Sequence, residues 1–417
     1  MPLDLKKILS QLGNLENQDA LNTSNNRINA TYNLLEEAFG NQNKLLSKVL
    51  DAQDSKKANF YFAIPELSNL DNDKIDSLVC CDKNFSLPHI TLATDGSQIN
   101  PSAHEFTSAF LINIGFTAIP YHTSNIPVLL TSEPAIYNST EDINPQTTSS
   151  KGFYENIQEE EIVAYERTLQ EIESLVKLAK KYISYNIPIV ALLDGTLIHW
   201  HIERFNNIYI ERFIKRFTDA VLELKSLNIP LASFLSNSRS NDFINMLRLY
   251  KCPYETIDCK KYCNNIASNN LPCNPTVDYK PVLDRRIIEK HFIEKKAEPG
   301  TRTILFKSNS KILNHYSDDL KVFFFYLNTG TEIARVELPS YVAKNTELLN
   351  LLHNAVSLQC KVGFGYPVTL SEAHLQAIVN RNDRQIFFDL VKNHLLKSKQ
   401  ISIKVSTKEF KKRISFV

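Results

Sequence analysis

The sequence predicts an α/β protein built on a mixed sheet, and three observations carry that class. One short apolar segment occurs twice with the same ending: Ile90-Thr-Leu-Ala-Thr-Asp-Gly-Ser97 and Ile189-Val-Ala-Leu-Leu-Asp-Gly-Thr196. Each copy reads as a buried β-strand running into Asp-Gly-Ser/Thr. Between the copies lies a long amphipathic helix, Gln158 to Tyr185. There Ile162, Tyr165, Leu169, Ile172, Val176, Ala179 and Ile183 step by three or four and form one buried stripe. A hairpin is legible further on: a strand from Val322 to Leu327, the turn Asn-Thr-Gly-Thr, and a strand from Glu332 to Leu338.

The remaining elements follow in chain order. Residues 1–60 predict helices from the spacing of Leu3, Leu5, Ile8 and Leu9, and again from Tyr32, Leu34, Leu35, Phe39, Leu45, Leu46, Val49 and Leu50. The polar stretch from Asn14 to Asn26 reads as a loop between them. Residues 1–75 are thus expected to be an N-terminal helical arm, and 76–417 the main domain. After a loop near Leu67–Asp73 the strand into Asp95 begins, followed by a strand-like run from Phe106 to Phe116. Thr131 to Gly152, rich in Ser, Thr, Asn and Pro, reads as an irregular exposed insertion. Pro188 ends the long helix. Helices near Asn206–Leu227 and Asp242–Tyr250 flank another strand, Pro230–Leu235, and further helices are expected at the C-terminal end.

Composition bounds the function classes. With 43% hydrophobic and 22% charged residues the chain is an ordinary globular one that buries a large core. No apolar run approaches a membrane span, and the start MPLDLKKILSQLG lacks a signal-peptide core. The formal net charge of +1 does not advertise nucleic acid, but Lys392 to Val417 carries eight Lys/Arg against the single acid Glu409. That tail could touch phosphates. Seven cysteines argue for free thiols in a reducing cytosol, so the expected location is cytoplasmic. Cys252, Cys259, Cys263 and Cys273 crowd together at a spacing that matches no standard zinc finger, and are the candidate ligands of a structural metal.

The chemistry rests on carboxylates. Asp95 and Asp194, at the ends of the two matching segments, could converge on a divalent cation, since Mg²⁺ and Mn²⁺ prefer hard anionic oxygen. The helix between them offers Glu166, Glu171 and Glu173, and spacing alone does not choose among them. Strand–Asp, helix–Glu, strand–Asp is the layout of ribonuclease H-like nucleases, in which two cations activate water and stabilise the leaving oxygen. A third piece is Gly363-Phe-Gly-Tyr-Pro-Val-Thr-Leu-Ser-Glu-Ala-His374. Its Thr369-x-x-Glu372 reads as a capping box, which puts His374 in the first turns of a helix, where the dipole keeps the imidazole neutral. Arg381 and Arg384 follow and could pair with phosphate.

Taken together, these residues resemble the NurA nuclease family over roughly 88–395. The resemblance is carried by Asp95–Ser97, Asp194–Thr196, Ser238-Arg239, FFYLNTGTEIARVELP from Phe324 to Pro339, and GYPVTLSEAH from Gly365 to His374. It implies a ribonuclease H-like core and a nuclease acting on DNA with Mn²⁺ or Mg²⁺, with two ions expected. It further implies 5′–3′ exonuclease and single-strand endonuclease activity in end resection, a toroidal homodimer, and a hexameric HerA-type ATPase as partner. By the same resemblance Asp95 and Asp194 take metal-ligand positions, and Tyr366 and His374 fall on the family's C-terminal tyrosine and histidine. The helix pair best fits Arg167 and Glu171, with Glu173 the alternative. Arg239, Arg381 and Arg384 are the expected DNA contacts. The competing reading is a catalytically silent scaffold or nucleic-acid-binding partner of an ATPase.

Overall fold

The computed structural model describes residues 4–12, 18–67, 74–101, 107–143, 159–205, 207–275 and 282–397. From the N-terminus come helices α1 (Leu5–Leu12), α2 (Gln18–Gly40) and α3 (Gln42–Ser55), then short strands β1 (Ala63–Glu66) and β2 (Leu78–Val79). A meander follows: β3 (His89–Ile99), β4 (Phe110–Tyr121) and β5 (Leu129–Tyr137), with the one-turn helix α4 (Thr140–Ile143). Helix α5 (Glu159–Tyr182) leads to β6 (Ile189–Asp194), and α6 (Asn207–Ser226) leads to β7 (Leu231–Leu235). Then come α7 (Asp242–Lys251), α8 (Cys259–Cys263), α9 (Asp284–Glu294), β8 (Arg302–Thr303) and β9 (Leu305–Ser308). The hairpin β10 (Val322–Asn328) and β11 (Ile333–Pro339) precedes α10 (Ser340–Ala343), α11 (Thr346–Val362), α12 (Val368–Ala377) and α13 (Arg381–Lys397). The fold is mixed α/β, as the sequence predicts. The chain divides into two compact units, Met1–Cys80 with Ser236–Ser310 and Phe323–Arg335, and Cys81–Leu235 with Lys311–Val322 and Val336–Val417.

In the first unit β9 pairs antiparallel with β1 and β10. Its core gathers Leu35 and Leu45 from α2 and α3 with Phe243, Met246, Ile287, Phe306, Phe324 and Tyr326. The N-terminal helices α2 and α3 therefore pack on their own unit. Residues 18–26 are helical, where polar composition predicts a loop. Helix extends cheaply once nucleated, and the buried face at Tyr32, Leu35 and Ala38 anchors this one downstream. Asp284 is fully buried at the start of α9, where it accepts the Phe243 and Ile244 N–H groups that open α7, and the Tyr326 hydroxyl at 2.6 Å. These three donors satisfy a carboxyl that burial pushes up to about 6.

In the second unit the strand order is β7-β6-β3-β4-β5. β3 runs antiparallel to β4 along its whole length, from His89 opposite Tyr121 to Ile99 opposite Leu111. On its other side it runs parallel to β6, but only from Ile90 to Ala93. β6 and β7 are parallel, and β5 is antiparallel to β4. Three antiparallel strands joined to two parallel ones, with α5 and α6 as crossovers, form the ribonuclease H-like arrangement. β5 corrects one sequence expectation, since Leu129–Tyr137 is an ordered strand and not part of an insertion. As the edge strand it tolerates Pro134 and exposed polar residues, which hide its periodicity. Residues 144–158 lie outside the described residues.

Glycine lets the layers approach. A Cβ at Gly115 on β4 would lie 2.3 Å from the Ala373 carbonyl oxygen and 2.7 Å from the Ala377 nitrogen, so α12 rests its backbone directly on the sheet. The Asn113 side-chain amide and the Ser97 hydroxyl both donate to the Ala377 carbonyl and fix the end of that helix.

Candidate metal centre

Asp95 lies inside β3, with four further strand residues beyond it, not at a strand exit as its Asp-Gly sequence predicts. Side chains alternate along a strand. Asp95, opposite Gly115, therefore faces α12, while Gly96 faces α5. A Cβ on Gly96 would sit 2.6 Å from both Arg167 Cγ and Glu171 Oε1. Gly96 thus allows the helix carboxylate to reach the strand. The Thr94 hydroxyl donates to the Glu171 carbonyl at 2.7 Å and holds that turn of α5 in place. Among the described residues the pairing with β6 stops at Ala93, which leaves that edge of β3 without a strand partner beside Asp95.

Asp194 does end its strand. Its Oδ1 accepts the Gly195 N–H at 2.9 Å, and Gly195 turns with φ of +90°. The loop beyond is fixed by the buried Glu337, which accepts the Thr196 hydroxyl at 2.7 Å and the Leu197 N–H at 2.8 Å. Tyr366 donates its hydroxyl to Asp194, and its ring meets Phe234 edge to face at 5.4 Å. His374 Nδ1 lies 2.7 Å from Asp95 Oδ2. Arg167 Nε lies 3.1 Å from Glu171 Oε1.

Asp95, Glu171 and Asp194 crowd one another electrostatically. Burial pushes Glu171 up to about 8; Arg167 and the Gly96 N–H oppose this, and the charges of Asp95 and Asp194 add to it. Burial and then Asp95 raise Asp194, against the Gly195 N–H, the Tyr366 hydroxyl and His374. Burial and Asp194 raise Tyr366, so it remains a donor. Three crowded carboxylates suit a hard divalent cation, which removes the repulsion that an unliganded site must bear. Among the described residues no three carboxylate, imidazole or thiolate groups form a ready-made coordination shell. A cation would compete with Arg167 for Glu171, with His374 for Asp95 and with Tyr366 for Asp194.

Other candidates stand elsewhere. Glu166 and Glu173 are clamped by Arg216 of α6, whose guanidinium donates to both at 2.7–3.0 Å. Of the three helix glutamates, Glu171 alone contacts the aspartate neighbourhood. His374 occupies the last turn of the ten-residue α12, not its first turns. Thr369 is no cap; its hydroxyl and N–H both bond the buried Gln359 Oε1 at 2.9 Å. The capping signal is spent on packing and the helix dipole at His374 has the opposite sign, so it is Asp95 that orients the ring. Arg239 is exposed in the first unit. In the second unit Arg381 is exposed at the start of α13, and Arg384 lies over the Phe388 ring at 5.0 Å. No described contact ties these arginines to the carboxylates. The basic tail beyond Lys397 lies outside the described residues.

Cys252, Cys259, Cys263 and Cys273 line one small pocket of the first unit with Phe60 and Arg248. They are free thiols, no three of them form a metal shell, and burial raises Cys252 and Cys263. The structural metal expected there is not supported; Cys273 is buried and accepts from Arg248, while the other three are half-buried. The roles of Gly96, Gly115 and Glu337 were not legible in the sequence, because they lie in contacts with residues far along the chain.

A family model described as the NurA domain matches residues 89–378. None of the functionally curated proteins matches this chain. Among solved structures, the NurA nuclease from Sulfolobus solfataricus is 12% identical with a TM-score of 0.40, the match covering 87% of this chain and 95% of that one. A NurA bound to dAMP and manganese is 10% identical with a TM-score of 0.33, covering 86% and 97%. A foamy virus protease–reverse transcriptase is 13% identical with a TM-score of 0.22, covering 36% and 18%.

Proposed function

This chain belongs to the NurA domain family, and we propose that it is a metal-dependent nuclease whose carboxylate centre hydrolyses the phosphodiester bonds of DNA. The observation that carries the reading is that Asp95 and Asp194, on two strands, both raise the carboxyl of Glu171 on the helix between them, with Tyr366 and His374 bonded to the two aspartates. Asp95, Glu171 and Asp194 would hold Mn²⁺ or Mg²⁺, with His374 as a further ligand. The cation supplies Lewis-acid stabilisation of the phosphoryl oxygens and lowers the pKa of water. Asp95 orients the imidazole of His374 through Nδ1, leaving Nε2 to take a proton or a metal. Tyr366 fixes the Asp194 carboxylate through its hydroxyl. Arg167, which lies 3.1 Å from Glu171, would be the cationic group at hand for a substrate phosphate.

The family resemblance extends the proposal to end resection, with 5′–3′ exonuclease and single-strand endonuclease activity, a homodimer, and a HerA-type hexameric ATPase as partner. In support of a partner, α1 buries none of its residues and leaves Leu5, Leu9 and Leu12 exposed. Seven free thiols suit the reducing cytoplasm. Among the described residues no helix is long and apolar enough to cross a membrane.

The test is cleavage of labelled single- and double-stranded DNA with Mn²⁺ or Mg²⁺ by the wild type and by Asp95→Ala and Asp194→Ala. Cleavage by the wild type that both variants lose while remaining folded is the expected result. A well-folded wild type that binds DNA or the ATPase without cleaving would leave the scaffold reading standing instead.

A further inference from the structure

The turn between α11 and α12 holds a residue that neither backbone nor packing requires. α11 ends in a Schellman-type cap, in which the Gly365 N–H returns to the Cys360 carbonyl at 2.8 Å. The residue just past such a cap takes a left-handed conformation and is usually glycine. Here two glycines flank that slot and Phe364 fills it, at φ of +54°. Gly363 is needed because a Cβ there would lie 2.0 Å from the Tyr366 carbonyl oxygen. Gly365, at φ of +107°, is needed for its own backbone. Phe364 has no such reason. A bulky residue at positive φ is an outlier, and its ring is 91% exposed, so no burial offsets the strain.

The turn is tied to the carboxylate centre through Tyr366. The Tyr366 N–H bonds the Gly363 carbonyl at 3.3 Å, the Tyr366 ring rests on Phe234, and its hydroxyl holds Asp194. An uncovered aromatic face is thus presented two residues from a side chain that bonds the carboxylate centre. On the nuclease reading of that centre, an exposed apolar ring in the same turn as Tyr366 is available to the face of a nucleobase. Every base has a π-face, so such stacking is tolerant of sequence, and it needs a base that is not already paired and stacked in a duplex.

We propose that Phe364 is the base-stacking residue of this site, taking the face of an unpaired base of the DNA strand and thereby favouring single-stranded over paired substrate. The proposal rests on the nuclease reading.

The test uses the full chain with Mn²⁺, a labelled oligothymidylate strand, and the same strand carrying abasic sites. Phe364→Ala should raise KM on the intact strand roughly five- to one-hundred-fold, with kcat little changed. Phe364→Trp should keep wild-type behaviour, and the abasic strand should bring the wild type down to the level of Phe364→Ala. A wild-type KM in Phe364→Ala, with the wild type active, overturns the stacking role and leaves the nuclease reading intact. Equal losses on both strands, with a changed mass in light scattering, also overturn it and make the ring a contact between copies. A folded wild type that cleaves no strand overturns the nuclease reading and the stacking role with it.

Discussion

Cation binding at the carboxylate centre should release a proton from Glu171. Burial and the two aspartates push its carboxyl up to about 8, whereas a free glutamate titrates near 4.3. Below about pH 8 the metal-free protein carries a proton there, and a divalent cation must displace it, because the ligand is the carboxylate. Apparent affinity should therefore climb about tenfold per pH unit up to about 8 and then level off. Mn²⁺ should thus bind about a hundredfold more weakly at pH 6 than above pH 8, a difference of roughly 3 kcal/mol. The sign for stability agrees. A folded-state carboxyl held above its unfolded value stabilises the metal-free fold fully only at low pH, and that contribution is lost as pH rises toward about 8. Calorimetric titration of Mn²⁺ into the full chain, in two buffers of different protonation enthalpy, gives both affinity and protons released. Glu171→Gln is the control and should bind weakly with a much flatter profile. An affinity that stays constant from pH 6 to 8, with no proton released, would refute the reasoning.

Gly115→Val should displace α12 and with it His374, cutting cleavage at least tenfold while Mn²⁺ still binds Asp194 and Glu171; unchanged kinetics would show that the close approach of helix and sheet is dispensable. Arg216→Ala leaves Glu166 and Glu173 without their partner, so thermal unfolding should report a loss of about 1–3 kcal/mol at neutral pH with catalysis kept. Phe364→Gly should raise thermal stability by up to about 1 kcal/mol, because glycine accepts the left-handed conformation freely; a drop in melting temperature would mean the ring is packed in solution. Tyr326→Phe removes a buried donor to Asp284 and should destabilise the protein by about 1–3 kcal/mol without altering Mn²⁺ affinity.

The elements that bury a continuous face were legible in the sequence: both Asp-Gly strands, α5, α6 and the β10–β11 hairpin. Their periodicity is the direct imprint of one covered side. β5 was not, because an edge strand with exposed serine, glutamate and proline has little apolar alternation to read. The choice among Glu166, Glu171 and Glu173 also failed at this level. Helical spacing gives angles around an axis, but the Arg216 clamp that removes two of them comes from α6. The His374 neighbourhood was half legible. A helix follows the Gly-Tyr-Pro loop as expected, yet its cap is Pro367 and not Thr369, and the sequence signal did not reveal that Thr369 turns inward to Gln359 or that the helix lasts only ten residues. The Asp-Gly pair marked the end of a strand in the sequence, whereas Gly96 lies inside one and is required by a glutamate far along the chain.

The alternation on β3, with Asp95 toward α12 and Gly96 toward α5, constrains how this chain can change length. A one-residue slip would exchange the faces of every side chain on the strand. It would bury a carboxylate against α5 and offer the imidazole nothing. All eleven residues of β3 are paired with β4, so the register is locked from end to end. Insertions and deletions should therefore be purged between His89 and Ile99 and tolerated in the connections beyond β5, leaving this strand the fixed ruler against which the rest of the sequence can drift.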